Sequence, residues 1–92
     1  MNNEARIMQM QTLLQAKLKP SLLEIIDDSH KHIGHAGAKG GAGHFTIKIS
    51  SAEFNDKNRL ECHKMIYQAL DPLMPYEIHA LSIKIIAENA LS

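Results

Sequence analysis

Apolar residues recur over the first part of the chain at the spacing of one helical face. This apolar stripe consists of Ile7, Met10, Leu14 and Leu18, widened by Leu13. Such spacing is typical of an amphipathic helix that buries one side. We therefore predict a helix from Asn2 to Leu18. It ends before Pro20, because proline disfavours the helical conformation of the residue that precedes it.

Three later segments have the pattern of β-strands. Ser21–Asp28 is apolar at its centre and is bounded by turn-forming residues, which favours a first strand. In Phe45–Ser50 apolar and polar residues alternate, as expected for a second strand with one buried face. Glu77–Ile85 is interpreted as the third strand.

A second helix is predicted between the second and third strands. Asn58 is followed three residues later by Glu61, which is the spacing of a capping box at a helix start. The apolar stripe of this helix comprises Cys62, Met65, Ile66, Ala69 and Leu70. Pro72 and Pro75 end the segment. A short final helical turn is expected within Ile86–Ser92.

The order of these elements predicts one α/β (α+β) domain that spans residues 1–92, with the order α-β-β-α-β and an optional last helix. The first two strands are expected to pair antiparallel. The second strand, second helix and third strand form a β-α-β unit, and such units join parallel strands by a right-handed crossover. The helices then cover one face of a three-stranded mixed sheet.

The connection between the first two strands, His30–Gly43, is rich in glycine and histidine. All five glycines of the chain lie here, and glycine is too costly in backbone entropy to sustain a helix or strand. His30, His32 and His35 also lie here, and His44 follows directly. A solvated hairpin connection without a ligand and a metal-binding loop are both consistent with this composition.

The predicted topology places a further histidine beside this loop. Parallel neighbouring strands start at the same edge of a sheet, so His79 should lie next to the start of the second strand. His79 is in phase with Leu81 and Ile83, which predicts that it lies on the more apolar face. The alternative role for His79 is a partly buried ring bonded to a backbone carbonyl.

Imidazole is a good ligand for iron, zinc and copper. Two histidines form only half of a coordination sphere, whereas a closed zinc site needs four protein ligands. The remaining ligands are therefore expected from a partner.

Composition and charge narrow the function classes. The chain of 92 residues has ten basic and ten acidic residues, so it shows no run of positive charge for general nucleic-acid binding. The single cysteine, Cys62, excludes an intramolecular disulfide and fits a reducing compartment. No signal peptide or membrane-spanning run is visible, which favours the cytoplasm. No nucleophile, base and orienting group form a set, so we do not expect an enzyme.

Four segments together resemble the BolA-like family from Leu22 to Lys84. They are LLEIIDDSHKH, GHFTIKISSAEF, RLECHKMIY and EIHALSIK. Their order and spacing carry the resemblance, since none of them is a catalytic signature alone. The resemblance implies a class II KH-like fold, which is compatible with the element order predicted above.

The resemblance also implies a function as the partner of a monothiol glutaredoxin. In that arrangement the two proteins and glutathione share a [2Fe–2S] cluster, used in iron–sulfur trafficking or iron sensing. The implied ligands here are His79 and one loop histidine, for which His35 is narrowly preferred over His32, with His44 as a substitute. The isolated chain is expected to carry no metal and to be a monomer or a weak homodimer.

A second function implied by the resemblance is that of a DNA-binding transcriptional regulator of stress response or morphology. The candidate surface for DNA or a protein partner is on the second helix. It comprises Arg59, His63, Lys64 and Tyr67. A solvated basic face is an equally ordinary explanation for these residues, and the zero net charge counts mildly against DNA binding.

Overall fold

The computed structural model describes residues 2–29, 43–74 and 76–87, which form two α-helices, a three-stranded sheet and two short 3-10 helices. The elements are α1 (Asn3–Leu18), β1 (Leu22–Asp27), β2 (Gly43–Ser50), α2 (Arg59–Ala69) and β3 (Ile78–Ile85), with 3-10 turns at Ala52–Phe54 and Asp71–Leu73. The predicted α-β-β-α-β order is confirmed. The predicted final turn falls largely on residues 88–92, which lie outside the described residues.

The first helix begins and ends at the signals expected from its sequence. The Asn2 side chain accepts a hydrogen bond from the backbone N–H of Ala5 at 2.8 Å, which satisfies a donor that the helix leaves open. Lys19 takes the left-handed conformation with φ of 45°, and Pro20 follows. The stripe of Met10, Leu14 and Leu18 is buried, as predicted.

The second helix starts with the predicted capping box. The Asn58 side chain accepts from the Glu61 N–H at 2.8 Å, and the Glu61 carboxylate accepts from the Asn58 N–H at 3.1 Å. Cys62, Ile66 and Ala69 face the core. Neither α1 nor α2, the helices of the described ranges, is long and apolar enough to cross a membrane.

The sheet has the order β1-β2-β3, with β1 antiparallel and β3 parallel to the central strand β2. The two helices cover the face of β2 that carries Phe45, Ile47 and Ile49, and these side chains are almost fully buried. Their neighbours on β3 are Leu81, Ile83 and Ile85. This mixed sheet matches the predicted topology.

Gly43, the first residue of β2, occupies a position that no larger residue fits. A Cβ atom there would lie 2.3 and 2.4 Å from Cε2 and Cζ of Phe45, and 3.1 Å from Oδ1 of Asn3. The Phe45 ring is itself fixed, because its side chain is buried in the core. The absence of a side chain at Gly43 therefore lets the loop enter the sheet over this ring.

We expect Gly43→Ala to lower the free energy of unfolding by about 1–3 kcal/mol, the usual cost of overpacking. In a Phe45→Leu background the same substitution should cost less, because leucine lacks the two ring atoms that clash. Urea denaturation of the four proteins of this double-mutant cycle measures the difference. An equal cost of Gly43→Ala in both backgrounds would contradict the steric explanation.

Candidate metal centre

The start of β2 and the start of β3 meet at one edge of the sheet. Gly43 is the register partner of Ile78, and the Gly43 N–H donates to the Glu77 carbonyl at 3.0 Å. The prediction that His79 lies beside the end of the histidine-rich loop is therefore confirmed.

The prediction that His79 lies on the more apolar face of β3 is wrong. Between the pairs Gly43–Ile78 and His44–Ala80, β2 advances by one residue and β3 by two. This β-bulge shifts the alternation, so that Ile78 enters the core with an exposed fraction of 0% while His79 is exposed. Bulges often redirect a side chain beside a functional site, and this one turns the imidazole of His79 outward.

The bulge leaves His79 next to the ring of His44. The two ring centroids are 4.9 Å apart, and the ring planes are inclined at 51°. Because a metal–imidazole bond is about 2.0–2.1 Å long, two imidazoles on one ion have centroids roughly 5 Å apart. The observed spacing therefore suits two nitrogen ligands on one metal ion.

The two rings of this pair differ in exposure. His44 has an exposed fraction of only 7%, whereas His79 is exposed. An ion bound by the pair would thus be reached from the His79 side. The part of the chain that the structure describes contains no group of three or more His, Cys, Asp or Glu residues placed to hold a metal ion. An ion held by the pair would therefore need its remaining ligands from elsewhere.

Hydrogen bonds hold both ends of the histidine-rich loop at this edge. The Asp28 N–H donates to the His44 carbonyl at 2.8 Å, and the His44 N–H donates to Oγ of Ser29 at 3.1 Å. His32 and His35 lie between these ends, within residues 30–42 and outside the described residues. Their role as ligands stays a prediction.

The adjacent carboxylates of Asp27, the last residue of β1, and Asp28 bond to different partners. Oδ1 of Asp27 accepts from the Ser29 N–H at 2.8 Å, whereas a carboxylate oxygen of Asp28 accepts from the Thr46 hydroxyl. The two carboxylates thus bond to different neighbours, as expected for adjacent residues of an extended chain, whose side chains point to opposite sides.

Arg6 belongs to the polar framework of this edge, and the sequence analysis did not identify it. Its exposed fraction is 7%, and its Nε donates to Oε1 of Glu77 at 2.9 Å. The sequence contained a signal for the burial of Arg6. Arg6 precedes Met10 by four residues, about one helical turn, and so lies on the apolar stripe of the helix.

The candidate partner surface on α2 is largely in solvent. Arg59, Lys64 and Tyr67 are exposed, and His63 is half-buried. The Nε2 atom of His63 is buried and has no hydrogen-bond partner within the described residues. The four residues thus lie on α2 as predicted, and their function stays a prediction.

These observations define a small α+β domain with a three-stranded mixed sheet, two helices on one face and an imidazole pair at the sheet edge. The family model for BolA-like protein matches residues 14–90. The chain belongs to the BolA-like family.

Individual relatives agree with this assignment. Protein BOLA1 of Arabidopsis thaliana is 40% identical over 83 residues, which are 87% of this chain and 52% of that protein. SufE-like protein 1 of the same plant is 37% identical over 84 residues, which are 86% of this chain and 23% of that protein. The chain therefore spans about half or less of the length of these two relatives.

A bacterial relative and a solved structure extend the comparison. The Escherichia coli protein named DNA-binding transcriptional regulator BolA is 33% identical over 70 residues, covering 76% of this chain and 64% of that protein. The BolA domain of SufE1 from Arabidopsis thaliana superposes with a TM-score of 0.80 at 33% identity, covering 92% of this chain and 94% of that one.

Cys62 is a core residue of α2. Its exposed fraction is 3%, and its Sγ lies 3.9 Å from the Lys57 carbonyl. Burial raises the pKa of the Cys62 thiol, and the neighbouring Glu61 carboxylate raises it further. Because the thiolate is the reactive form, these effects disfavour a role as nucleophile or ligand.

Alkylation of native Cys62 by iodoacetamide at mildly alkaline pH should be far slower than alkylation of glutathione in the same solution. The raised pKa also means that the unfolded thiol loses its proton first, so the contribution of Cys62 to stability falls as the pH rises. The stability difference between the wild type and Cys62→Ala should therefore narrow at alkaline pH. Native alkylation as fast as that of glutathione would contradict the buried environment.

Proposed function

We propose that this chain is a non-enzymatic partner of a monothiol glutaredoxin and supplies ligands to a [2Fe–2S] cluster that the two proteins share. The proposal rests chiefly on the exposed ring of His79, whose centroid is 4.9 Å from that of His44. Both ends of a loop with further histidines are held at the same sheet edge. This arrangement supports a role in iron–sulfur trafficking or iron sensing.

The incomplete ligand set explains why a partner is needed. Imidazole nitrogen suits iron, and the described residues provide a pair of imidazoles without a third group to close the site. In the family arrangement the glutaredoxin cysteine and a glutathione thiol complete the cluster. Histidine ligands on one iron raise the cluster potential above that of an all-cysteine cluster.

His79 is the ligand that this chain presets, because β3 and its bulge fix the direction of the side chain. The second ligand is a histidine of the loop, with His35 preferred over His32. His44 is the third candidate and supplies the ring closest to His79 among the described histidines. If His44 is not a ligand, its ring still packs against that of His79 and limits the rotation of the exposed ring.

Mixing the full chain with a cluster-loaded monothiol glutaredoxin should change the visible absorption spectrum, because ligands of one iron are replaced. His79→Ala should abolish the change. Replacing His32, His35 and His44 by alanine in turn should identify the second ligand, with His35→Ala expected to have the largest effect.

The matched control is His30→Ala, which removes an imidazole from the same loop but from outside the proposed ligand set. It should leave the spectral change intact. Analytical ultracentrifugation separates a loss of ligand from a loss of the complex itself. An unchanged spectrum with wild-type protein, or a full change with His79→Ala, would overturn the proposal.

A second candidate function is sequence-preferring DNA binding by α2. The observation that favours it is the name of the Escherichia coli relative, together with the exposed cations Arg59 and Lys64. Cations of this kind contact phosphates, and each such contact contributes to the salt dependence of binding.

Under this second function the chain should retard promoter DNA in a mobility-shift assay at physiological salt, with or without His79→Ala. Arg59→Ala and Lys64→Ala should each weaken binding and reduce the slope of log affinity against log salt by about 1. Lys48→Ala, which removes a cation from β2 and leaves α2 unchanged, is the control. Retardation that neither Arg59→Ala nor Lys64→Ala weakens would exclude α2 as the DNA surface.

A further inference from the structure

We infer that Arg6 and Asn3, in the first turn of α1, are positioning residues for the imidazole pair. They connect the start of β3 to the start of the histidine-rich loop through partly buried polar contacts. The inference rests on the proposed function only in assigning the pair to metal binding. The connection that Arg6 and Asn3 make between β3 and the loop is observed directly in their hydrogen bonds.

Arg6 forms the link to β3. Its guanidinium donates from Nε to Oε1 of Glu77 at 2.9 Å and from Nη1 to Oδ1 of Asn3 at 2.8 Å. The side chain of Arg6 has an exposed fraction of 9% and that of Glu77 29%. A largely buried ion pair of this kind has a defined geometry, because each lost hydrogen bond would leave a charged group unsatisfied.

Asn3 forms the link to the loop. Its Nδ2 donates to Oδ2 of Asp27 at 3.0 Å and to Oγ of Ser29 at 3.1 Å, while its Oδ1 accepts from Arg6. The amide of Asn3 thus uses both of its polar ends. It joins the arginine to the last residues before the loop.

The two links end directly beside the two imidazoles. Oγ of Ser29 also accepts from the backbone N–H of His44 at 3.1 Å. Glu77 stands two residues before His79, and its carbonyl accepts from Gly43. A continuous set of hydrogen bonds therefore runs from the backbone N–H of His44 to the carboxylate of Glu77, two residues before His79.

A buried ion pair is weak evidence for a purely stabilising role. The next positions of the same stripe, Met10 and Leu14, bury apolar side chains, and replacing a buried ion pair by apolar residues is often neutral or stabilising. Asn3 and Arg6 also lie outside residues 14–90, the part that matches the family model. Their hydrogen-bond partners Asp27, Ser29 and Glu77 lie inside the matched part.

The test compares Arg6→Met with Met8→Ala in the 92-residue chain. Arg6→Met keeps an unbranched side chain of similar length but removes the donors, whereas Met8 is 66% exposed on the same helix. Nuclear Overhauser effects between the ring protons of His44 and His79 report the pairing in the free protein. We expect Arg6→Met to reduce these cross-peaks several-fold at temperatures where its circular dichroism stays native, and Met8→Ala to leave them unchanged.

A second measurement follows the spectral change with the cluster-loaded glutaredoxin. Arg6→Met should weaken the response on the order of 10-fold, the usual cost of losing a group that orients a ligand. If wild-type protein gives no spectral change, the proposed function fails, and the ring cross-peaks still decide the positioning role. If the cross-peaks keep their wild-type intensity in Arg6→Met, the inference is overturned.

Two milder variants are included in case Arg6→Met does not fold. Asn3→Ala removes the link to the loop and leaves the Arg6–Glu77 ion pair, while Arg6→Lys keeps the charge without the forked geometry. Each should fold and lose part of the cross-peak intensity. Native cross-peaks in both would overturn the inference.

Discussion

The parallel pairing of β2 with β3 is the constraint on which the rest of the structure depends. It aligns Phe45 with Leu81 and Ile47 with Ile83 on the face that the helices cover. A slip by one residue would turn every apolar side chain of a strand toward solvent, so the register is fixed by the core. The same register fixes the backbone positions at the sheet edge where the loop enters, although the residues at that edge are mostly polar.

Much of this arrangement could be predicted from the pattern of apolar residues. The alternation in β2 and the helical stripe of α2 define a β-α-β unit, and such a unit brings the starts of its strands together. That reasoning placed His79 beside the loop. It did not reveal the bulge, because the period-two rule assumes that each strand advances equally. Ile78 takes the core position next to Gly43, and this displaces the following residue outward.

The buried arginine shows a different limit of sequence reasoning. Helical spacing indicates that Arg6 points inward, but its partner Glu77 is 71 residues away along the chain. A long-range ion pair leaves no local pattern, since either residue alone resembles an ordinary surface charge. The capping box of α2 was visible for the opposite reason, because both of its partners lie within one helical turn.

Because hydrogen bonds fix both ends of the glycine-rich connection, the geometry of the sheet does not set the number of residues between these ends. Ser29 and Gly43 are held by the frame on either side, and doubling a loop costs only about 0.6 kcal/mol in closure entropy. A change in the number of residues between these two fixed ends is therefore expected to cost little free energy of folding. Under the proposed function, substitutions between Ser29 and Gly43 change the donor atom of the second ligand while β2, β3 and His79 stay the same.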